Sequence, residues 1–445
     1  MSKTVKFGGS SVANAKQFKK VKKIIEADPE RLFIVTSAAG KDGVDQAKIT
    51  DLLYLCYAHL KYGVEVDSIF KLIVDRFQSI NDELNLNLDL DSEFNKIRSS
   101  FSKSMNVDTL ACKGEYLTGL CLAKYLKVPF VDASKVVALH YDGTIDIERT
   151  KELMVPYVAL HEKMVIPGFY GCLPNGVIKV LPRGGSDITG ALIANVTDSS
   201  IYENWTDVSG FLVADPKIIP HPESISRVTY SELREMSYMG ARVLQEEAIF
   251  PVKQKHIPIN IRNTNQPDHP GTLIMEDCSQ EDAITPPPAI TGITGKKHFT
   301  VLTINKNRIS GEVGFLRKVL TIFENHRISI ESVPVSVDSI SCVVETQQIQ
   351  DCLYEILFEL KDKLHCEDIQ ISDHLALLCV VGRNMKSKIG MSGKIFAELG
   401  NQGINIRTIN QGSDEISIIV GIDDLNFEKA IKCIYDRFIT AQEPK

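Results

Sequence analysis

Two patterns of hydrophobic and polar positions run along this chain, and the change between them marks its main boundary. Over roughly the first 275 residues, short apolar runs alternate with longer stretches of helical period. The runs Thr4-Val5-Lys6-Phe7, Leu32-Phe33-Ile34-Val35, Pro129-Phe130-Val131, Met164-Val165-Ile166 and Val177-Ile178-Lys179-Val180-Leu181 read as strands. Residues 12–27, 50–62, 65–80, 115–126 and 188–197 read as helices. Strands alternating with helices predict an α/β domain on a largely parallel sheet, with ligands at the carboxyl ends of the strands.

The pattern breaks at Pro286-Pro287-Pro288, which neither a helix nor a central strand accommodates, so 278–298 reads as a linker. Beyond it the chain repeats itself. Val319-Leu320-Thr321-Ile322-Phe323 and Ile328-Ser329-Ile330 align with Ile395-Phe396-Ala397-Glu398-Leu399 and Ile404-Asn405-Ile406, Ile328 matching Ile404 at an offset of 76. Each copy offers a strand (Phe299–Ile304; Leu375–Val381), a helix, a strand opening on Ile-x-Ile, a further strand and a second helix (351–363; 426–438). That order predicts two ferredoxin-like α+β modules, 299–371 and 372–445, which the pattern leaves free to interleave. Such modules either mediate assembly or sense a ligand.

A chain of 445 residues allows two to four domains at the usual ~100–200 residues each. Hydrophobic residues at 44% and charged residues at 24% exclude extended disorder and coiled coil as the main architecture. The net charge of −7 argues against nucleic acid as a partner. None of the ten cysteines forms Cys-x-x-Cys or pairs with histidine at zinc-ligand spacing, and no metal ligand is assigned. The first residues lead directly into a strand-like run, and no stretch approaches the length of a bilayer span. A reduced, cytoplasmic protein with no membrane partner is expected.

Two glycine-rich turns carry candidate chemistry. Lys6-Phe7-Gly8-Gly9-Ser10-Ser11 lies between the first strand and first helix, where glycines admit a phosphate to backbone N–H groups. Lys6 adds the charge that a phosphoryl group in transit needs. Pro182-Arg183-Gly184-Gly185-Ser186-Asp187 repeats the design with arginine, whose planar fork suits a carboxylate or phosphate. Either turn alone is explained by chain reversal, and Ser186 and Asp187 by helix capping. No Walker A or protein-kinase signature occurs. Lys113-Gly114-Glu115 and Trp205-Thr206-Asp207-Val208 … Asp215-Pro216-Lys217 are modest signals by themselves.

Together, in this order and spacing, these motifs resemble the aspartate kinases of the amino-acid kinase superfamily, and the paired modules resemble their tandem ACT domains. The resemblance implies a three-layer α/β/α sandwich over 1–277 followed by two ACT modules. It implies phosphorylation of L-aspartate by ATP with Mg²⁺, a first step towards lysine, threonine and methionine. Lys6 and Asp187 take the catalytic roles by resemblance. Lys6, Phe7, Gly8, Gly9, Thr206, Asp207, Lys217, Arg242 and Val243 match nucleotide positions. Ser37, Thr50, Glu115, Phe169, Arg183, Gly184, Gly185 and Ser186 match the aspartate pocket, Glu115 for its amino group and Arg183 for a carboxylate. An inhibitory amino acid, lysine favoured and threonine possible, is implied beside Gly314, Phe315, Leu316, Ser329, Ile330, Glu331 and Asp338, at an interface of a homodimer or homotetramer built through the modules. Leu212 stands where the family has tyrosine, and Arg242-Val243-Leu244-Gln245-Glu246 replaces Lys-Val-Leu-His-Pro. The alternatives are another amino-acid kinase, acting on glutamate or a nucleotide, and a catalytically silent amino-acid-binding relative.

Overall fold

The computed structural model describes residues 2–43, 47–240 and 250–440. The chain forms two compact units: Met1–Phe211, Ser224–Tyr230 and Arg242–Cys278 make one, and Leu212–Glu223, Ser231–Ala241 and Ser279–Lys445 the other.

The first unit is built on a seven-stranded sheet. Its strands are β1 (Lys3–Phe7), β2 (Arg31–Thr36), β3 (Met164–Pro167), β6 (Ile201–Thr206), β7 (Arg227–Thr229), β8 (Ile259–Asn263) and β9 (Thr272–Met275), with β4 (Tyr170–Cys172) and β5 (Ile178–Val180) forming a separate hairpin. The order is β3-β2-β1-β6-β8-β9-β7, and only the β8–β9 pairing is antiparallel. Alternation along β1 divides the two faces. Val5 and Phe7 join a core with Phe18, Val21 and Ile24 of helix Ala15–Glu26 and with Leu117 and Cys121 of helix Lys113–Leu126. Thr4 and Lys6 face the other way, towards the helix Gly185–Val196 and the turn after it: the Thr4 and Ser199 hydroxyls lie 2.8 Å apart. Helices on both faces make the three-layer sandwich.

Two strand expectations change. Val177–Leu181 contributes β5 to the hairpin rather than to the main sheet, and Pro129–Val131 makes only an isolated bridge, Phe130 to Val165.

The second unit holds one antiparallel sheet of β10 (Gly292–Asn305), β11 (Ser339–Glu345), β12 (Asp368–Val381), β13 (Thr408–Gln411) and β14 (Ser417–Asp423), ordered β11-β10-β12-β14-β13. Helices Phe315–Asn325 and Leu353–Leu364 serve the first module, Met391–Asn401 and Phe427–Tyr435 the second. Both long strands are shared. The later half of β10 belongs with β11, whereas Gly292–Lys296 pairs with Leu377–Val381, beside β14. Residues 292–298 are therefore strand rather than the end of a linker, because the second module takes its fourth strand from ahead of the first. Segments 212–223 and 231–241 likewise leave the 1–277 domain for this unit: Ile293 N donates to Val213 O at 2.7 Å, and Thr294 Oγ1 to Met239 O at 2.9 Å. The Ile-x-Ile pairs do not open strands. Ile328 and Ile404 are buried anchors; 332–335 makes only isolated bridges, and β13 starts at Thr408.

Candidate active site

Parallel pairing aligns Lys6 of β1 with Asn204 of β6. The Lys6 ammonium, on a residue only 6% exposed, lies 2.5 Å from Asp187 Oδ1 and 3.4 Å from Asn204 Oδ1. Asn204 Nδ2 donates to the same Asp187 oxygen at 2.8 Å, closing a three-residue cluster. Asp187 reaches it from the first turn of helix Gly185–Val196, which Gly184 opens in the left-handed region at φ +82°. A side chain other than glycine is strained there.

The Gly8-Gly9 turn follows directly. Gly8 N donates to Trp205 O at 2.8 Å, and a Cβ on Gly8 would lie 3.6 Å from the Lys6 ammonium, filling the approach to that charge. Gly9 meets Gly40 backbone to backbone, so closely that a Cβ on Gly40 would stand 2.7 Å from the Gly9 carbonyl. This contact brings the Thr36–Gly40 turn after β2 against the turn after β1.

Glu115 comes in behind that second turn. Its residue is 5% exposed, Oε2 has no hydrogen-bond partner, and burial pushes the carboxyl pKa up to about 8 against a backbone hydrogen bond from Ala38. Gly114 permits the approach, since a Cβ there would lie 2.8 Å from that of Ala38. A buried carboxylate oxygen without a partner is costly unless a ligand supplies one.

Ser37 follows β2 and donates its backbone N–H to Phe7 O at 3.0 Å; Thr50 sits half-buried in the first turn of helix Ile49–Tyr62. Phe169, at φ +76°, donates its N–H to Thr189 Oγ1 at 3.1 Å, and the neighbouring Gly168 lies against Ser186. Gly185 packs against Phe169. Arg183 is exposed and has no hydrogen bond or ion pair among the described residues. Thr206 Oγ1 donates to Asp207 Oδ1 at 3.1 Å, at the end of β6. Gly8, Ser37, Phe169 and Thr206 stand at or just past the carboxyl ends of β1, β2, β3 and β6, where an open α/β sheet binds ligands, whereas Arg183 follows the β4–β5 hairpin and Thr50 opens a helix. Lys217 belongs to the second unit, and Arg242 and Val243 lie outside the described residues. Asn204 is the member that the sequence reading missed; its signal is an amide inside an otherwise buried strand.

In the first module, Gly314 (φ +81°) opens helix Phe315–Asn325, with Phe315 buried and Leu316 exposed. Glu331 N donates to Val343 O, and Ser329 N to Gln348 Oε1. Asp338 is not beside Glu331, as the sequence suggested. The hairpin of 332–335 against β11 puts Asp338 in its turn, where its carboxylate accepts from Arg308 N at 2.8 Å.

Among the described residues no helix is long and apolar enough to cross a membrane, and no group of acidic, His or Cys side chains could hold a metal by itself.

Sequence comparison agrees with this architecture. The profile of the amino acid kinase family matches residues 2–263, and an ACT domain profile matches 378–438. Aspartokinase 3 of Bacillus subtilis is 31% identical over 98% of both chains, and the aspartokinase of Saccharomyces cerevisiae is 27% identical over 81% of this chain and 74% of its own. The crystal structure of Clostridium acetobutylicum aspartate kinase superposes with a TM-score of 0.90 at 46% identity, covering 98% of this chain and 99% of that one. With its kinase sheet, its shared-strand ACT modules and these relatives across nearly its whole length, the chain belongs to the amino acid kinase family and, within it, to the aspartate kinases.

Proposed function

We propose that this enzyme transfers the γ-phosphoryl group of ATP to the side-chain carboxylate of L-aspartate, giving ADP and 4-phospho-L-aspartate. The observation that carries the reading is the pairing of two buried ionisable groups at one end of one sheet: Lys6, held by Asp187 and Asn204, and Glu115, whose Oε2 has no protein partner. An amino-acid substrate supplies the missing ammonium for Glu115, and Arg183, free among the described residues, suits a carboxylate. In the transfer, an aspartate carboxylate oxygen forms the new bond to the γ-phosphorus as the bond to the ADP oxygen breaks. The nucleophile is already an anion, so no general base is required. That fits an Asp187 engaged in holding Lys6 rather than poised to take a proton. Lys6 stabilises charge on the group in flight.

The nucleotide fits the turn after β1, since a side chain on Gly8 would fill the approach to Lys6. Mg²⁺ would arrive with the phosphates, screening their charge. Asp187, both of whose contacts use Oδ1, keeps its other oxygen for the metal or its water. Thr206 and Asp207 flank the turn, and Lys217 and Arg242 are assigned to the nucleotide as well. A coupled ADP-release assay over a panel of amino acids tests the activity. Turnover with aspartate and not with glutamate is expected; the reverse, or none with any amino acid, sinks it.

Lysine is the proposed inhibitor, with Glu331 accepting its ammonium and the Gly314–Leu316 helix start its carboxylate. A second copy of the chain is proposed to complete this effector site. Glu331→Ala is expected to weaken lysine inhibition about fivefold or more with little change in uninhibited turnover. Titrating both proteins with lysine and threonine checks it.

A further inference from the structure

Where a strand or a helix ends, backbone N–H groups lose their regular partners, and any that stay buried must find another. At three such places among the described residues, the new partner is a threonine inside a helix. Ala39, just past β2, donates its N–H to Thr118 Oγ1 at 3.1 Å. Phe169, between β3 and β4, donates to Thr189 Oγ1 at 3.1 Å. Ala138, just past the short helix Ala133–Val136, donates to Thr150 Oγ1 at 3.0 Å.

All three threonines are fully buried, and each uses its hydroxyl both ways. Thr118 Oγ1 donates to Gly114 O at 2.8 Å, Thr189 Oγ1 to Gly185 O at 2.9 Å and Thr150 Oγ1 to Asp146 O at 2.7 Å, each one helical turn back. A hydroxyl bonded to that carbonyl no longer rotates freely, so its lone pairs are aimed and the incoming N–H is fixed with them. What differs is what each clamp holds. Gly114 O immediately precedes Glu115, and the turn tied to it contains Ser37 and Ala38, whose N–H bonds the Glu115 carboxyl. Gly185 O immediately precedes Ser186, and the residue tied to it is Phe169. The third clamp joins Ala138 to helix Ile147–Leu160 at Asp146, and neither residue is assigned to the aspartate pocket.

We propose that Thr118 and Thr189 are positioning residues of the aspartate pocket, each locking the turn after a strand onto the helix that carries a substrate-binding side chain, while Thr150 makes the same pair of bonds for stability alone. This rests on the reading of the site as that of an aspartate kinase. Without the hydroxyl a buried N–H is left unbonded, and the turn must move off the helix to satisfy it. The nucleotide turn is spared, because Gly40 N still donates to Gly9 O at 2.9 Å and Ser37 N to Phe7 O at 3.0 Å.

The experiment uses the full-length enzyme. Thr118→Val, Thr189→Val and Thr150→Val keep the branched shape and delete the hydroxyl, and Thr118→Ser and Thr189→Ser keep the hydroxyl. Thermal unfolding checks that each folds, and Thr118→Ala or Thr189→Ala is read where the valine variant does not. The readouts are KM for ATP and KM for the amino acid that the wild type phosphorylates. Thr118→Val and Thr189→Val are expected to raise KM for the amino acid about fivefold or more and to leave KM for ATP within about twofold. The serine variants should stay within about twofold of the wild type, and Thr150→Val should lower Tm without moving either constant. Unchanged constants in folded Thr118 and Thr189 variants, equal rises for both substrates, serine variants no better than valine, or a Thr150→Val that raises the amino-acid constant as much, overturn it. A wild type that prefers another amino acid sinks the aspartate reading and leaves this comparison intact, so the two fail separately.

Discussion

Lys6 and Glu115 are both buried at the same end of the same sheet, yet the protein treats them in opposite ways. Lys6 has an aspartate and an asparagine against its ammonium, whereas Glu115 has an oxygen with nothing to accept from. The difference follows what each must meet. The partner proposed for Lys6 is a polyanion that departs after every turnover, so a resident carboxylate holds the ammonium in place meanwhile. The partner proposed for Glu115 is the substrate's own ammonium, and a protein cation there would compete with it. One charge is neutralised in the resting enzyme, and the other is left as a demand that only the right ligand meets.

The hardest blow to this contrast is Lys6→Ala. Turnover should fall by about three orders of magnitude with a much smaller change in KM for aspartate. A loss under about tenfold would remove Lys6 from the chemistry. Next is Glu115→Gln, which should raise KM for aspartate by about 10–100-fold, the worth of a charge-assisted hydrogen bond, and leave KM for ATP within about twofold. Steady-state kinetics with each substrate varied separates the two. Asn204→Leu, which keeps Lys6 and Asp187 but removes the amide that orients them, should lower turnover about tenfold. An unchanged rate would make the cluster a two-residue one.

The smallest effect sharpens the Glu115 side through stability. Its folded pKa of about 8 lies above the ordinary 4.5, so the folded state favours the protonated carboxyl. That contribution is complete below pH 4.5 and is lost as pH rises towards 8. In calorimetric scans without aspartate, Glu115→Gln should therefore gain on the wild type in Tm as pH goes from 5 to 8, by a few degrees. A gap that narrows instead would mean that the carboxylate already has a partner.

Much of this site was legible because its residues sit at junctions. Lys6, Gly8 and Gly9 close a strand, and Arg183 to Asp187 open a helix, where charge and glycine stand out against apolar runs. Asn204 was hidden because β6 carries two polar residues in its middle, Glu203 and Asn204, and such a strand does not read as buried. The cation that pairs with Glu203 is remote: Arg31 bonds it at 2.8 and 3.2 Å, while the neighbouring Trp205 Nε1 donates to it at 2.8 Å. Pairing partners far along the chain also explain the misread linker. Gly292–Lys296 looks like a tether until Leu377–Val381 lies beside it. The repeat was visible as a repeat, but the exchange of strands between its copies leaves no local trace.

That exchange sets a timetable for making the protein. Chains emerge amino-terminus first at about 5–20 residues per second, so Gly292–Lys296 is synthesised before the whole first module and long before the strand that will pair with it. Meanwhile it is a bare strand edge, open to the same segment on a neighbouring nascent chain. Lys296, and Lys297 just beyond it, place positive charge at that waiting edge, which discourages a self-match until Val381 has been made.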